Sequence, residues 1–265
     1  MSPPSDNRRR LPAPGITVAI VLVGAVVLAG LILAVTGMSD SGNGTAAGPG
    51  RQPVQDQLRA PQAKATGPEG DPIAVITKKT ALRASPDGRK IGALDTKTEF
   101  KSSKVVAVVD RKGDWLRVIA SDLQNGKRGW IDARDTEAGI TQFRIRADLS
   151  ARRIDIVKDG KVVRRIRSAV GEQGTPTPRG KFAITDKVPF TDRGSPYGCC
   201  ALALSAHQPN TPSEWSGGDR VAIHATPAAR SIGQPVTLGC MRVPAADARW
   251  MMRTIPLGTQ VTIKA

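Results

Sequence analysis

Histidine, cysteine and aromatic residues are all scarce in this chain of 265 residues. Each scarcity excludes something. Two histidines, His207 and His224, cannot build a histidine-rich metal centre. Three cysteines are too few for a disulfide scaffold and too scattered for a zinc ribbon. Their odd count leaves at least one unpaired within the chain. Aromatics at 3% argue against a stacking platform for nucleic-acid bases. Acidic residues are outnumbered, 23 against 39 Lys and Arg, for a net charge of +16. Residues 1–14 hold three arginines and one aspartate, so +14 lies beyond them. A field of that size suits an anionic partner. With 40% hydrophobic residues the chain is not a disordered basic tail.

One long uncharged run is present. Gly15 to Thr36 reads GITVAIVLVGAVVLAGLILAVT, 22 residues without a charge. About 20 apolar residues suffice to cross a bilayer, and a run apolar on every face is not an ordinary surface helix. A cleaved signal peptide is the alternative, but its apolar core is usually about 7–15 residues. No cysteine follows closely enough for a lipoprotein. Arg8, Arg9 and Arg10 precede the run and place the N-terminus in the cytoplasm. The expected order is a cytoplasmic segment at 1–14, a single-pass anchor at 15–36 and a flexible Gly/Pro/Ala-rich linker at 37–72. Everything after the anchor is then extracytoplasmic, which disfavours a nucleic-acid partner despite the charge.

From Ile73 the texture becomes short β runs with turn signals. Ile73–Thr77, Leu82–Ala84, Val105–Val109, Trp115–Ile119 and Gly129–Ile131 read as strands, and no helical period appears. A small β barrel over 73–138 is predicted, with Trp115 and Trp130 filling its core or serving as ligand platforms. Residues 141–265 are again mainly β. Strands are predicted at Phe143–Ala147, Arg152–Val157, Val162–Ala169, Lys181–Thr185, Ala201–Ser205, Arg220–His224 and Gln260–Lys264. Asp159-Gly160 is a tight hairpin pair. One helix, Ala245–Thr254, follows Pro244 and stops at Pro256. Long connections at 171–180 and 190–219 exceed usual loop lengths, as functional loops do.

The chemistry centres on one cysteine. Cys240 sits in Thr237-Leu238-Gly239-Cys240-Met241-Arg242, just ahead of the helix. Small residues beside it admit a substrate, and free backbone N–H groups there can hold an oxyanion. Cys199 and Cys200 are adjacent, a pairing that bridges only with strain, and read as buried small residues. A thiol nucleophile needs a base, usually histidine. His224 ends a predicted strand where side chains face a cleft; His207 lies in a long polar loop.

Several ordered segments resemble the YkuD-type L,D-transpeptidase catalytic domain: RADLSARRIDIVKDGKVVRRIRSAVG, then Thr175-Pro176-Thr177-Pro178-Arg179-Gly180-Lys181-Phe182, Tyr197-Gly198, Gly217 to Thr226, and Ser231 to Val243. The segments TALRASPDG, KGDWLRV and NGKRGWI resemble a bacterial SH3-like domain. The resemblance implies a mainly β protein, a small SH3-like barrel followed by a β-rich catalytic domain with one short helix. It implies Cys240 as acyl-accepting nucleophile and His224 as its base, oriented by the carbonyl of Ala225. Gly239 and Cys240 would contribute oxyanion N–H groups. Arg242, Thr237 and Tyr197 would meet substrate. The substrate would be peptidoglycan stem peptides, the product a 3→3 cross-link, and carbapenems the expected inhibitors. No metal or organic cofactor is expected, and the positive exterior would favour anionic wall polymers. An L,D-carboxypeptidase and a non-catalytic wall-binding protein are the alternatives. One departure stands out: the family's histidine two residues before the cysteine is Leu238 here.

Overall fold

Alternating strands at the flanks and continuous apolar strands at the centre build a sheet in each half of the described chain. The computed structural model describes residues 70–192 and 194–265. The expected anchor at 15–36 and nearly all of the linker lie outside the described residues. Among the described residues no helix is long and apolar enough to cross a membrane.

The first lobe contains β1 (Asp71–Ile76), β2 (Thr80–Arg83), β3 (Lys90–Leu94), β4 (Val105–Lys112), β5 (Trp115–Ile119), β6 (Gly129–Asp132) and β7 (Thr136–Thr141). They form one sheet in the order β3-β2-β6-β5-β4-β1-β7. Leu82, Leu94, Val106, Val118 and Ile131 point inward and make its core. Leu116 and Ile131 are buried, so period two sends Trp115, Arg117 and Trp130 to the other face. The tryptophans are therefore half-buried outside the core rather than filling it, and the Arg83 guanidinium lies 5.8 Å from the Trp115 ring centre. Two strands went unread from sequence. β3 (KIGAL) has no clean alternation, and β7 spans the expected domain boundary to pair along the whole of β1.

The second lobe contains β8 (Phe143–Asp148), β9 (Arg153–Lys158), β10 (Lys161–Arg167), β11 (Val170–Gly171), β12 (Gly180–Pro189), β13 (Cys200–His207), β14 (Arg220–His224), β15 (Pro235–Thr237), β16 (Met241–Arg242), α1 (Ala245–Thr254) and β17 (Gln260–Lys264). Eight of them share a sheet in the order β10-β9-β8-β17-β12-β13-β14-β16, and β11 pairs with β15. Asp159 and Gly160 both take positive φ, 49° and 77°, as the tight hairpin between β9 and β10 requires. The β17 strand lies parallel to β8 and antiparallel to β12. Ala248 and Met251 of α1 pack onto the core formed by Phe182, Ile184, Leu202, Ile223 and Met241. The expected long connection at 190–219 is split by β13 into 190–199 and 208–219.

Polar clamps join the lobes. The Asn125 amide brackets His207, donating to its carbonyl at 2.6 Å and accepting from its N–H at 2.9 Å. Thr98 donates to the buried Asp186 carboxylate, and Arg144 pairs with Asp71. Ala107, Ile119 and Ala183 form a small apolar cluster across the same junction.

Candidate active site

The parallel pairing of β14 with β16 sets the site. Ile223 lies opposite Met241 and His224 opposite Arg242. Ile223 and Met241 are fully buried in the core. Alternation then turns Ala222, His224, Cys240 and Arg242 to the other side together. The Cys240 sulfur accepts a hydrogen bond from the Ala222 N–H at 3.4 Å.

His224 is 4% exposed. Its Nδ1 lies 2.5 Å from the Ala225 carbonyl, which can only accept, so Nδ1 carries the proton and Nε2 keeps its lone pair. Burial pushes the imidazole down to about 4, opposed by the backbone carbonyls of Ala225 and Tyr197 and aided by the Arg242 charge. The Tyr197 ring meets His224 edge-on, centroids 4.9 Å apart, and stacks on Phe190 at 5.1 Å. Gly198, at φ 62°, permits this approach; a Cβ there would sit 2.8 Å from that of Ala225.

Burial raises the Cys240 thiol above its usual value, with the Ala222 N–H and the Arg242 charge pulling the other way. At neutral pH the two groups are thus a neutral thiol and a neutral imidazole. Arg242 is half-buried, and its Nε is buried without a hydrogen-bond partner among the described residues.

The loop before Cys240 is braced from within. Thr237 is buried; its hydroxyl donates to the Cys240 carbonyl at 2.6 Å and accepts from the Gly239 N–H at 3.1 Å. The Thr237 side chain is engaged by the loop rather than offered to a substrate, and the Gly239 N–H is already donated. Gln208, which sequence reasoning passed over, is the second brace. Its amide nitrogen reaches the carbonyls of Leu238 at 3.0 Å, Pro176 at 3.1 Å and Thr175 at 3.3 Å. The Thr175 hydroxyl adds a bond to the Thr237 carbonyl at 3.0 Å. The Thr-Pro-rich segment and the cysteine loop are therefore one unit. A lone glutamine in a polar loop carries no pattern that would flag it.

A cavity of about 40 Å³ adjoins Cys240, lined by Tyr197, Gln208, Trp215, Asp219 and Leu238 among others. Leu238, in the place of the family histidine, is 37% exposed. His207 stands apart, its Nδ1 2.9 Å from the Asp219 carboxylate and its Nε2 2.7 Å from the Ser121 carbonyl. Both its nitrogens are committed to the lobe junction. Cys199 and Cys200 are free, with their sulfurs in contact. Burial, then Cys199, pushes Cys200 up to about 12. No His/Cys/Asp/Glu group that could hold a metal occurs among the described residues.

A cysteine at a strand end, a buried histidine locked by the next carbonyl and a rigid glycine loop are the parts of an acyl-transfer site. The family model of the YkuD L,D-transpeptidase catalytic domain matches residues 142–263. The L,D-transpeptidase YkuD of Bacillus licheniformis is 31% identical over 171 residues, covering 58% of this chain and 95% of the relative. Its counterpart in Bacillus subtilis is 26% identical over 170 residues, with the same coverage. A solved structure of L,D-transpeptidase 3 from Mycobacterium tuberculosis with a faropenem-derived adduct is 15% identical. It covers 61% of this chain and 91% of its own, with a TM-score of 0.39. The chain belongs to the YkuD family of L,D-transpeptidases, cell-wall enzymes.

Proposed function

We propose that the protein forms 3→3 cross-links in peptidoglycan through a Cys240 acyl-enzyme. The observation that carries this is the lock between His224 Nδ1 and the Ala225 carbonyl, which leaves Nε2 as a proton acceptor on the face that holds Cys240. The thiol attacks the carbonyl between the diamino acid at stem position three and the D-alanine at position four. The S–C bond forms as Nε2 takes the thiol proton. The Cys240 N–H remains as oxyanion donor, since that of Gly239 is spent on Thr237. The C–N bond then breaks and D-alanine leaves with the proton from Nε2. In the second half-reaction the side-chain amine of another stem attacks the thioester, Nε2 receives the amine proton, and the thiol is restored. The charge of Arg242, paired opposite His224 across the β14–β16 strands, would attract a stem carboxylate.

Carbapenems, strained amides, should acylate the same sulfur. Tyr197 would form the cleft wall. Residues 15–36 would anchor the chain with both lobes outside the cell, and the first lobe would be an SH3-like module. N-terminal sequencing of the native protein that began near residue 38 would overturn the anchor.

The deciding experiment incubates the protein with purified stem tetrapeptides and resolves products by mass. A cross-linked dimer minus D-alanine is expected; tripeptide alone would make it a carboxypeptidase. Cys240→Ala should abolish both products and carbapenem adducts, whereas Cys199→Ala and Cys200→Ala should retain them. Full activity in Cys240→Ala would end the reading.

A further inference from the structure

A cavity of about 870 Å³, far larger than that at Cys240, opens between the lobes. It lies over β8, β17 and β12, whereas the cysteine site lies at the β14–β16 edge of the same sheet. Alternation buries Ile145, Val261 and Phe182 and leaves Arg146, Thr262 and Lys181 side by side on the opposite face. The facing wall brings Arg117 of β5 and Arg128, just ahead of β6.

Cations dominate this cleft. Arg111, Arg117, Arg128, Arg144, Arg146 and Lys181 line it against two carboxylates, Asp71 and Asp110. Asp71 is already bound by Arg144. Among the described residues Arg117, Arg128, Arg146 and Lys181 have no ion-pair partner; the Arg128 guanidinium donates to the Lys127 carbonyl at 2.6 Å and, across the junction, to the Lys181 carbonyl at 2.8 Å. Burial, and then the neighbouring Arg117, makes the Arg128 guanidinium easier to deprotonate than usual. Asp110, across the strand pair from Arg117, offsets only part of this charge; the excess like charges repel, and a bound anion relieves that repulsion. Guanidinium forks match phosphate oxygens in pairs. The cations are spread over both walls rather than converging on one point, which suits a chain of anions more than a single one. No aromatic side chain lines the cleft, so the stacking surface that single-stranded nucleic acid uses is missing.

We propose that this cleft binds a linear polyanion whose charges are phosphodiesters on a polyol or sugar backbone, seated between Arg117 and Arg128 on one wall and Arg146 and Lys181 on the other. Only the choice of a wall polymer as its source rests on the extracytoplasmic placement proposed above; the binding itself is independent of Cys240. Such a site would hold the enzyme to the wall while the cysteine edge stays open.

The test titrates the full chain with a fluorescent glycerol-phosphate oligomer over a range of salt concentrations. A thymidine oligonucleotide and polyglutamate of equal charge serve as comparators. Arg117→Ala/Arg128→Ala and Arg146→Ala/Lys181→Ala should each weaken binding about tenfold. Each should also flatten the salt slope by about one to two, as lost phosphate contacts do. Arg89→Ala/Lys90→Ala, exposed at the start of β3, removes the same charge and should change neither. Equal weakening by that control would leave only diffuse attraction and overturn the proposal. Tighter binding of the oligonucleotide or polyglutamate would overturn the ligand class. Melting temperatures within a few degrees of the parent certify the variants as folded. Cys240→Ala should bind the oligomer unchanged; if Cys240 proves chemically inert while the cleft variants behave as stated, the enzyme reading fails and this one stands.

Discussion

A Cβ placed on Gly239 would lie 2.1 Å from the Gln208 amide nitrogen. Gly239 also holds φ at 112°, where other residues are strained. Gly239→Ala should therefore cost about 1–3 kcal/mol of backbone strain and displace Gln208 from its three carbonyls. The expected result is at least a tenfold slower carbapenem acylation with the fold retained, read by stopped-flow absorbance and by thermal melting. Gln208→Ala should slow acylation as well, because it removes the same brace without adding strain.

The two histidines should separate cleanly. His224→Gln should lower acylation by about 10²–10⁴, the usual range for a lost acid–base group. His207→Gln should leave the chemistry nearly intact and instead lower the melting temperature, since it loosens the contacts to Ser121 and Asp219. Rates on variants of verified fold decide it, and the reverse ranking would overturn the assignment of the base.

The pH profile follows from burial. His224 titrates near 4 rather than 6.5, so acylation should stay flat well below pH 6.5 and fall only toward pH 4. The same shift destabilises the fold in acid. Between about pH 6.5 and 4 the unfolded chain takes up the proton and the folded one does not. Stability from this group is complete above pH 6.5, drains as pH falls through that window, and changes no further below it. An acid limb centred near 6.5 would contradict the buried, carbonyl-locked imidazole.

Leu238 offers a complementary substitution. Its side chain is partly exposed beside Cys240, and the loop is held through its carbonyl, not its side chain. Leu238→His should thus leave the loop in place and change the acylation rate modestly. Conversion of an inert protein into an active one would instead favour a non-catalytic wall-binding role.

Glycine also limits the first lobe. A Cβ on Gly129 would lie 2.5 Å from a methyl of the buried Leu82. Gly129→Ala should destabilise by about 1–3 kcal/mol through overpacking, visible in denaturant titration, while acylation by the folded fraction persists.

Alternation or a short apolar run between turn signals made most strands legible: Trp115–Ile119, Arg220–His224 and Gln260–Lys264 lie where their residues predict, as does the helix Ala245–Thr254. Two-residue strands such as Met241–Arg242 carry no period, yet β16 aligns the cysteine with the histidine. The Ala225 carbonyl contact was expected from family resemblance and is present. The Gln208 brace was not legible, because three carbonyls from two distant loops meet it only in space. The outward turn of Trp115 and Trp130 was missed for another reason: aromatic residues in short strands suggest core, and only the neighbours' burial reveals the face.

The strand at Gln260–Lys264 is last in the described chain but sits between Phe143–Asp148 and Gly180–Pro189. Without it, the sheet is two separate halves, and Arg146 and Lys181 lose the rung that aligns them. During synthesis the second lobe cannot close until its final strand has left the ribosome. Parallel pairing over so long a sequence separation is slow to form. The alignment of Arg146 with Lys181 is therefore among the last features of the lobe to form.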